Sequence, residues 1–142
     1  MFRFRRVNID GKSITETYAA NEAVKPGELV KLAEGKFAKA ALADVGKAQL
    51  FIVNPAFHEG KTIADEIAKD ATVVADYVEQ GREFALRVPA AAYKKGAAIA
   101  FTATGIKLFT EPLESAPADP IVAYCQEDVT LDAEDFIRVR VA

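Results

Sequence analysis

Polar and apolar residues alternate one by one at both ends of this chain, a period that suits strands and excludes amphipathic helices. In "FRFRRVNI", Phe2 and Phe4 fall on one side of an extended backbone and Arg3 and Arg5 on the other, with Arg6 following. In "FIRVRVA", Ile137, Val139 and Val141 alternate with Arg138 and Arg140. Each end has two readings. It is an ordinary edge strand with solvated arginines, or one terminus is an arm or edge strand that pairs with another chain by strand addition.

Glycine turns punctuate the interior. "SITETYAA" alternates again, and Pro26-Gly27 fits the centre of a type II turn, proline setting the first φ and glycine accepting the positive second one. "ELVKL" reads as a strand with Leu29 and either Val30 or Leu32 inward, Glu34-Gly35 as a reversal, and "KFAKA" as the return strand. "AQLFIVN" is a continuous apolar run suited to a strand buried on both faces, ended by Asn54-Pro55.

One segment departs from this rhythm. "KTIADEIAKD" places Ile63, Ala64, Ile67 and Ala68 at helical spacing, with Thr62 as N-cap and Asp65 and Glu66 in the first turn. A short α-helix over about residues 62–70 is expected. "ATVVADYV" is richer in strand formers, "EQGR" reads as a hairpin turn, and "EFALRVP" as the strand after it, closed by Pro89.

A looser copy of the 25–40 phrase follows. Lys94-Lys95-Gly96 aligns with Lys25-Pro26-Gly27, Ile99 with Val30, and Gly105-Ile106-Lys107-Leu108 with Gly35-Lys36-Phe37, across a one-residue gap. This is a local rhyme between two hairpins with a defined entry turn, short of a duplication. Residues 111–135 hold eight carboxylates and no lysine or arginine. They are either solvated loop residues or an acidic contact patch for a basic partner.

The length of 142 residues suits a single domain spanning residues 1–142, and 51% hydrophobic content excludes disorder. A net charge of −3 supplies no global field toward nucleic acid or anionic lipid. The lone Cys125 permits no internal disulfide and fits a reducing compartment. No apolar run approaches the roughly 20 residues of a membrane helix, so a soluble protein made in a cytoplasm is expected.

Signatures of catalysis are scarce. His58 is the single histidine, so no one chain offers a two-histidine metal site, and His58 reads as a loop residue. Cys125 alternates within "IVAYCQ" as a small core side chain would. The acid pairs Asp65-Glu66, Glu127-Asp128 and Glu134-Asp135 are adjacent and cannot flank a substrate. No phosphate-binding or dinucleotide glycine motif occurs. The expectation is a non-enzyme with no catalytic residue, no cofactor and no metal. Arg3, Arg5 and Arg6 beside Phe2 and Phe4 make nucleic acid the minority reading, that of a small β-barrel binding single strands.

"ANEAVKPGELVKLAEGKFAKA", followed after a variable middle by "YVEQGREFALRVPAAAYKKGAAIAF", resembles the small capsid decoration (cement) proteins of tailed bacteriophages over roughly residues 20–110. Those proteins carry a similar "PG-LV-L--GK" strand-turn-strand element in a β-rich domain. The resemblance implies a virion protein on the outer head surface, partnered by the major capsid protein and by itself as a homo-oligomer, with a trimer the common case. It implies an N-terminal segment that orders on the shell, here residues 1–9, shorter and richer in arginine than the family's arms. The fold expected is mainly β, a single β-barrel or β-sandwich-like domain of hairpins with the one short helix. The expected partner contacts are Phe2, Arg3, Phe4, Arg5, Arg6, Arg138 and Arg140. The alternative kept beside it is another oligomeric virion component of the tail or head-completion type.

Overall fold

Leu50, Phe51, Ile52 and Val53 are all buried, and successive side chains of this strand enter two different cores. The computed structural model describes residues 1–142. In chain order its strands are β1 (Thr15–Ala19), β2 (Leu29–Ala33), β3 (Lys36–Lys39), β4 (Leu50–Val53), β5 (Thr72–Tyr77), β6 (Glu83–Val88), β7 (Ala92–Tyr93), β8 (Ala98–Thr102), β9 (Gly105–Leu108), β10 (Ile121–Cys125), β11 (Val129–Thr130) and β12 (Asp135–Val141). They form three antiparallel sheets: β1-β5-β4-β2-β3, β6-β12-β10-β8-β9, and the small pair β11-β7. The fold is mainly β, as alternation and turn chemistry predict. It contains two 3₁₀ turns, Leu42–Asp44 and Phe57–Glu59, and no helix long and apolar enough to cross a membrane.

The first sheet curls on itself. Ala20 bridges Phe37, and Asn21 N donates to Phe37 O (2.7 Å), joining the end of β1 to β3. Phe37, Phe51, Val53, Ile67 and Val73 help fill the interior. Its opposite face, with Leu29, Leu50 and Ile52, packs on the second sheet and contributes to a larger core with Phe84, Ile99, Phe101, Ile137 and Val139. In β2, Leu29 goes to one core and Val30 to the other, while Leu32 is exposed.

The turns follow their residues. Gly27 has φ 83° and Glu28 N donates to Lys25 O (3.1 Å); in the rhyming segment Gly96 has φ 88° and Ala97 N donates to Lys94 O (3.0 Å). Glu34 and Gly35 both take positive φ, 53° and 77°, the demand of a two-residue hairpin whose twist matches its strands. The second hairpin turns through Ala103-Thr104, so Gly105 is already the first residue of β9, opposite Thr102. Each hairpin lies at the edge of its own sheet.

Four expectations are corrected. Residues 62–70 are not helical. Ile63 enters the larger core and Ile67 the smaller, whereas a helix would aim both one way. Asp65 Oδ2 accepts from Thr62 N (2.7 Å) and Thr62 Oγ1 (3.1 Å), a local pairing that competes with helix bonds. Ile67 and Val24 exchange backbone bonds of 2.7 and 2.9 Å. The turn at "EQGR" joins strands of different sheets, so it is a crossing between layers and no hairpin. The C-terminal alternation is β12, paired with β6 on one side and β10 on the other, hence interior and not an edge. The N-terminal alternation forms no strand; its one bridge joins Asn8 to Phe84.

That N-terminal segment has a structural task nonetheless. The β6–β12 ladder turns the backbone groups of residues 83, 85 and 87 outward. Ile9 N donates to Glu83 O (3.4 Å), Ala85 N to Val7 O (2.8 Å), and Arg87 N to Gly27 O (3.2 Å). The chain thereby covers an edge that would otherwise invite pairing. The edge of β3 is covered likewise, by Asn21 on Phe37 and by Glu22 accepting from Lys39 N (3.2 Å).

Candidate functional site

Because β12 is laddered on both sides, its side chains stand on a fixed lattice. Ile137 and Val139 point into the larger core; Phe136, Arg138 and Arg140 share the opposite face. Phe136 is nevertheless fully buried, because the N-terminal segment lies over it. Phe2 meets it edge-on with ring centroids 5.2 Å apart, and the Arg87 guanidinium sits 4.7 Å from the Phe136 ring and 5.0 Å from Phe2. Arg87 itself donates to Pro26 O (2.8 Å) and pairs with Glu134 (2.6 Å), tying the Pro-Gly turn to the segment before β12.

Beyond Phe136 the face becomes a ladder of arginines and glutamates. Arg3 donates to both carboxylate oxygens of Glu127 and, through Nη1, to Phe136 O (3.0 Å). Glu127 Oε2 also accepts from Arg138 N (2.7 Å). The Arg138 side chain reaches Glu83 Oε1 at 2.8–2.9 Å, and Arg140 Nη2 is 3.6 Å from the same oxygen. Side-chain exposure is 47% for Arg138 and 53% for Arg140, so both keep solvent-facing donors. Arg5 and Arg6 are exposed and belong to none of the chain's ion pairs; Phe4 is half-buried, with Arg3 5.4 Å from its ring. Tyr124, opposite Arg140 on β10, is exposed. Arg3, Arg138 and Arg140 stand against Glu83, Glu127 and Asp135, three positive charges against three negative ones.

The charges are tuned by this contact. Burial alone would raise the Glu127 carboxyl, yet the Arg3 guanidinium, the Arg138 N–H and both positive charges hold it below its ordinary value. The Glu127 hydrogen bond raises Arg3 in turn. Asp10 repeats the pattern: burial pushes it up, and the paired bonds from Arg82 (2.7 and 2.8 Å) bring it below the usual range.

The structure thus brings Arg3, Arg138 and Arg140 into one surface and turns Phe2 and Phe4 toward the protein's own core. Sequence reasoning missed Glu83 and Glu127, the two carboxylates that hold the ladder. Glu127 lies in the acidic tract, where Asp128, Glu134 and Asp135 also serve the chain itself: Asp128 accepts from Lys95 N (2.9 Å) and Asp135 from Arg3 N (3.1 Å). Glu111 and Glu114 of the same tract are exposed. The signal for Glu83 was its place at the head of "EFALRV", one strand away from Arg140.

Elsewhere, His58 lies exposed on the 3₁₀ turn with Nε2 3.9 Å from Glu59 Oε1. Cys125 is fully buried, burial raises its thiol, and Sγ donates to Glu127 O (3.1 Å). An apolar cleft of about 460 Å³ opens between the sheets beside Leu50, Phe84, Ile121 and Val141, with Lys47 its one charged lining residue. No three histidine, cysteine or acidic side chains come close enough to share a metal ion. A scan against protein-family models finds no match to this chain, and a search of curated proteins finds none either.

Proposed function

We propose that the protein is a non-catalytic structural component of a phage virion that binds the outer face of the head and stabilises contacts between capsid subunits. The carrying observation is the Arg3–Glu127–Arg138–Glu83–Arg140 ladder, whose Arg138 and Arg140 stand half-exposed on a strand that is hydrogen-bonded on both sides. Docking to a repeating protein surface calls for this: charged donors held in fixed positions, with little ordering left to do on contact. Identical weak contacts then add through multivalency. The likeness of residues 20–110 to decoration proteins supports the same reading, with the major capsid protein and further copies of this chain as partners.

The test mixes purified protein with bare expanded capsids and measures co-sedimentation. The wild type should saturate at a fixed ratio. Arg138→Gln with Arg140→Gln should weaken binding about tenfold or more, since rim charges set both steering and salt dependence. Absence of co-sedimentation would remove the capsid reading, and labelling of tails in micrographs would place the chain in another virion component. A single-stranded nucleic-acid binder needs rings free to stack, and here Phe2 and Phe4 pack against the core. Salt-sensitive retention of oligonucleotides, lost in Arg3→Gln/Arg5→Gln/Arg6→Gln, would reinstate that alternative.

A further inference from the structure

In the two five-stranded sheets, two short stretches of strand edge are left uncovered. Tyr77 N bonds to Ile14 O (2.8 Å) and Ala20 N to Ala71 O (2.8 Å), so even-numbered residues of β1 face β5 and odd-numbered ones turn their N–H and C=O outward. The bridge from Ala20 to Phe37 closes this edge at its Ala19 end, leaving Thr15 and Thr17 open. In the β8–β9 hairpin, Phe109 N bonds to Ala98 O (2.9 Å), so Gly105 and Lys107 face β8 while Ile106 and Leu108 face outward. A groove of about 500 Å³, lined by Arg87–Pro89 on one side and by Phe101–Lys107 on the other, opens along the start of β9. Between each pair of open residues stands one exposed charge, Glu16 in β1 and Lys107 in β9. Neither belongs to an ion pair of the chain.

We propose that β9 of one copy pairs antiparallel with β1 of a second copy, Ile106 opposite Thr17 and Leu108 opposite Thr15. Lys107 then lies directly opposite Glu16. The same register sets Ile14, 49% exposed, against Phe109. The self-pairings are disfavoured by their charges. A two-fold β1–β1 contact using both open residues opposes Glu16 to Glu16, and a β9–β9 contact opposes Lys107 to Lys107; like charges directly opposite destabilise a pair. The mixed pairing joins two different patches, so it is heterologous and propagates into a closed ring or an open chain.

Sedimentation equilibrium of the full chain at low salt, across a range of concentrations, tests this. The wild type should associate reversibly. Glu16→Lys and Lys107→Glu should each weaken association about five- to tenfold, and the double reversal should restore it. Thr17→Pro, which removes an N–H pointing away from β5, should abolish association with the thermal midpoint retained. A monomer at every concentration overturns the interface, as do single reversals without effect or a double variant that fails to recover. The interface needs no capsid: self-association without capsid binding leaves it standing and removes the capsid reading, and the converse result removes the interface alone.

Discussion

A methyl group at position 27 would collide with Phe136 Cε1 and meet Arg87 Cβ at 3.1 Å, on a backbone whose φ is already 83°. Gly27→Ala combines left-handed strain with a collision against two residues that cannot yield, because Phe136 is clamped beneath Phe2. Its cost should be about 3 kcal/mol or more in denaturant unfolding; a change under about 1 kcal/mol would contradict this packing. Cys125 yields a second expectation at this scale. With the thiol raised by burial and donating to Glu127 O, a disulfide reagent should label it only as fast as the protein unfolds. Rapid labelling in native buffer would contradict that. The Pro26-Gly27 turn was legible in the letters; the reason no other residue fits was not, because Phe136 and Arg87 lie far along the chain and meet Gly27 only through the fold.

Among the elements, the N-terminal segment is the one whose part depends most on acid. Glu127 and Asp10 bind it to the body, and both carboxyls are depressed in the folded state. Their contribution is complete above the ordinary values of 4.5 and 3.8 and is lost as pH falls through the lower folded-state values. Acidification below about pH 4 should therefore free residues 1–6 before the sheets melt. In NMR spectra the Phe2 ring would lose the shift imposed by Phe136, and Glu127→Gln should show part of that change at neutral pH. Val7 is fully buried in the larger core, so removal of residues 1–9 would strip a core side chain and bare the β6 edge. Arg5→Gln with Arg6→Gln is the variant that changes the segment's charge without that damage. Strands were readable one at a time because a period of two is local. Which strands were edges was not, since β12 is made interior by β10 and by a β6 some fifty residues earlier. Residues 62–70 misled because isoleucines four apart look helical until the two cores that receive them are known.

Across the whole molecule, β2 and β4 send alternate side chains into both cores, which couples them. Phe37→Ala in the smaller core and Phe84→Ala in the larger should each cost about 3–5 kcal/mol. Each should lower a single unfolding transition seen alike by near- and far-ultraviolet dichroism. Two separable transitions would show that the sheets are independent units. The same shared wall explains why "LFIV" lacks alternation: it has no solvent face to mark.

The position of β12 has a bearing on synthesis. The first sheet is complete in the chain by Tyr77, but the second waits for β12, residues 135–141, the strand that joins β6 to β10. A ribosome stalled before that point should carry a chain that is cleaved in both the 15–77 and the 83–125 regions, because the wall of β2 and β4 has no finished second layer to pack on and the nascent segment lacks its keystone. Resistance of both would show that the second layer forms without it.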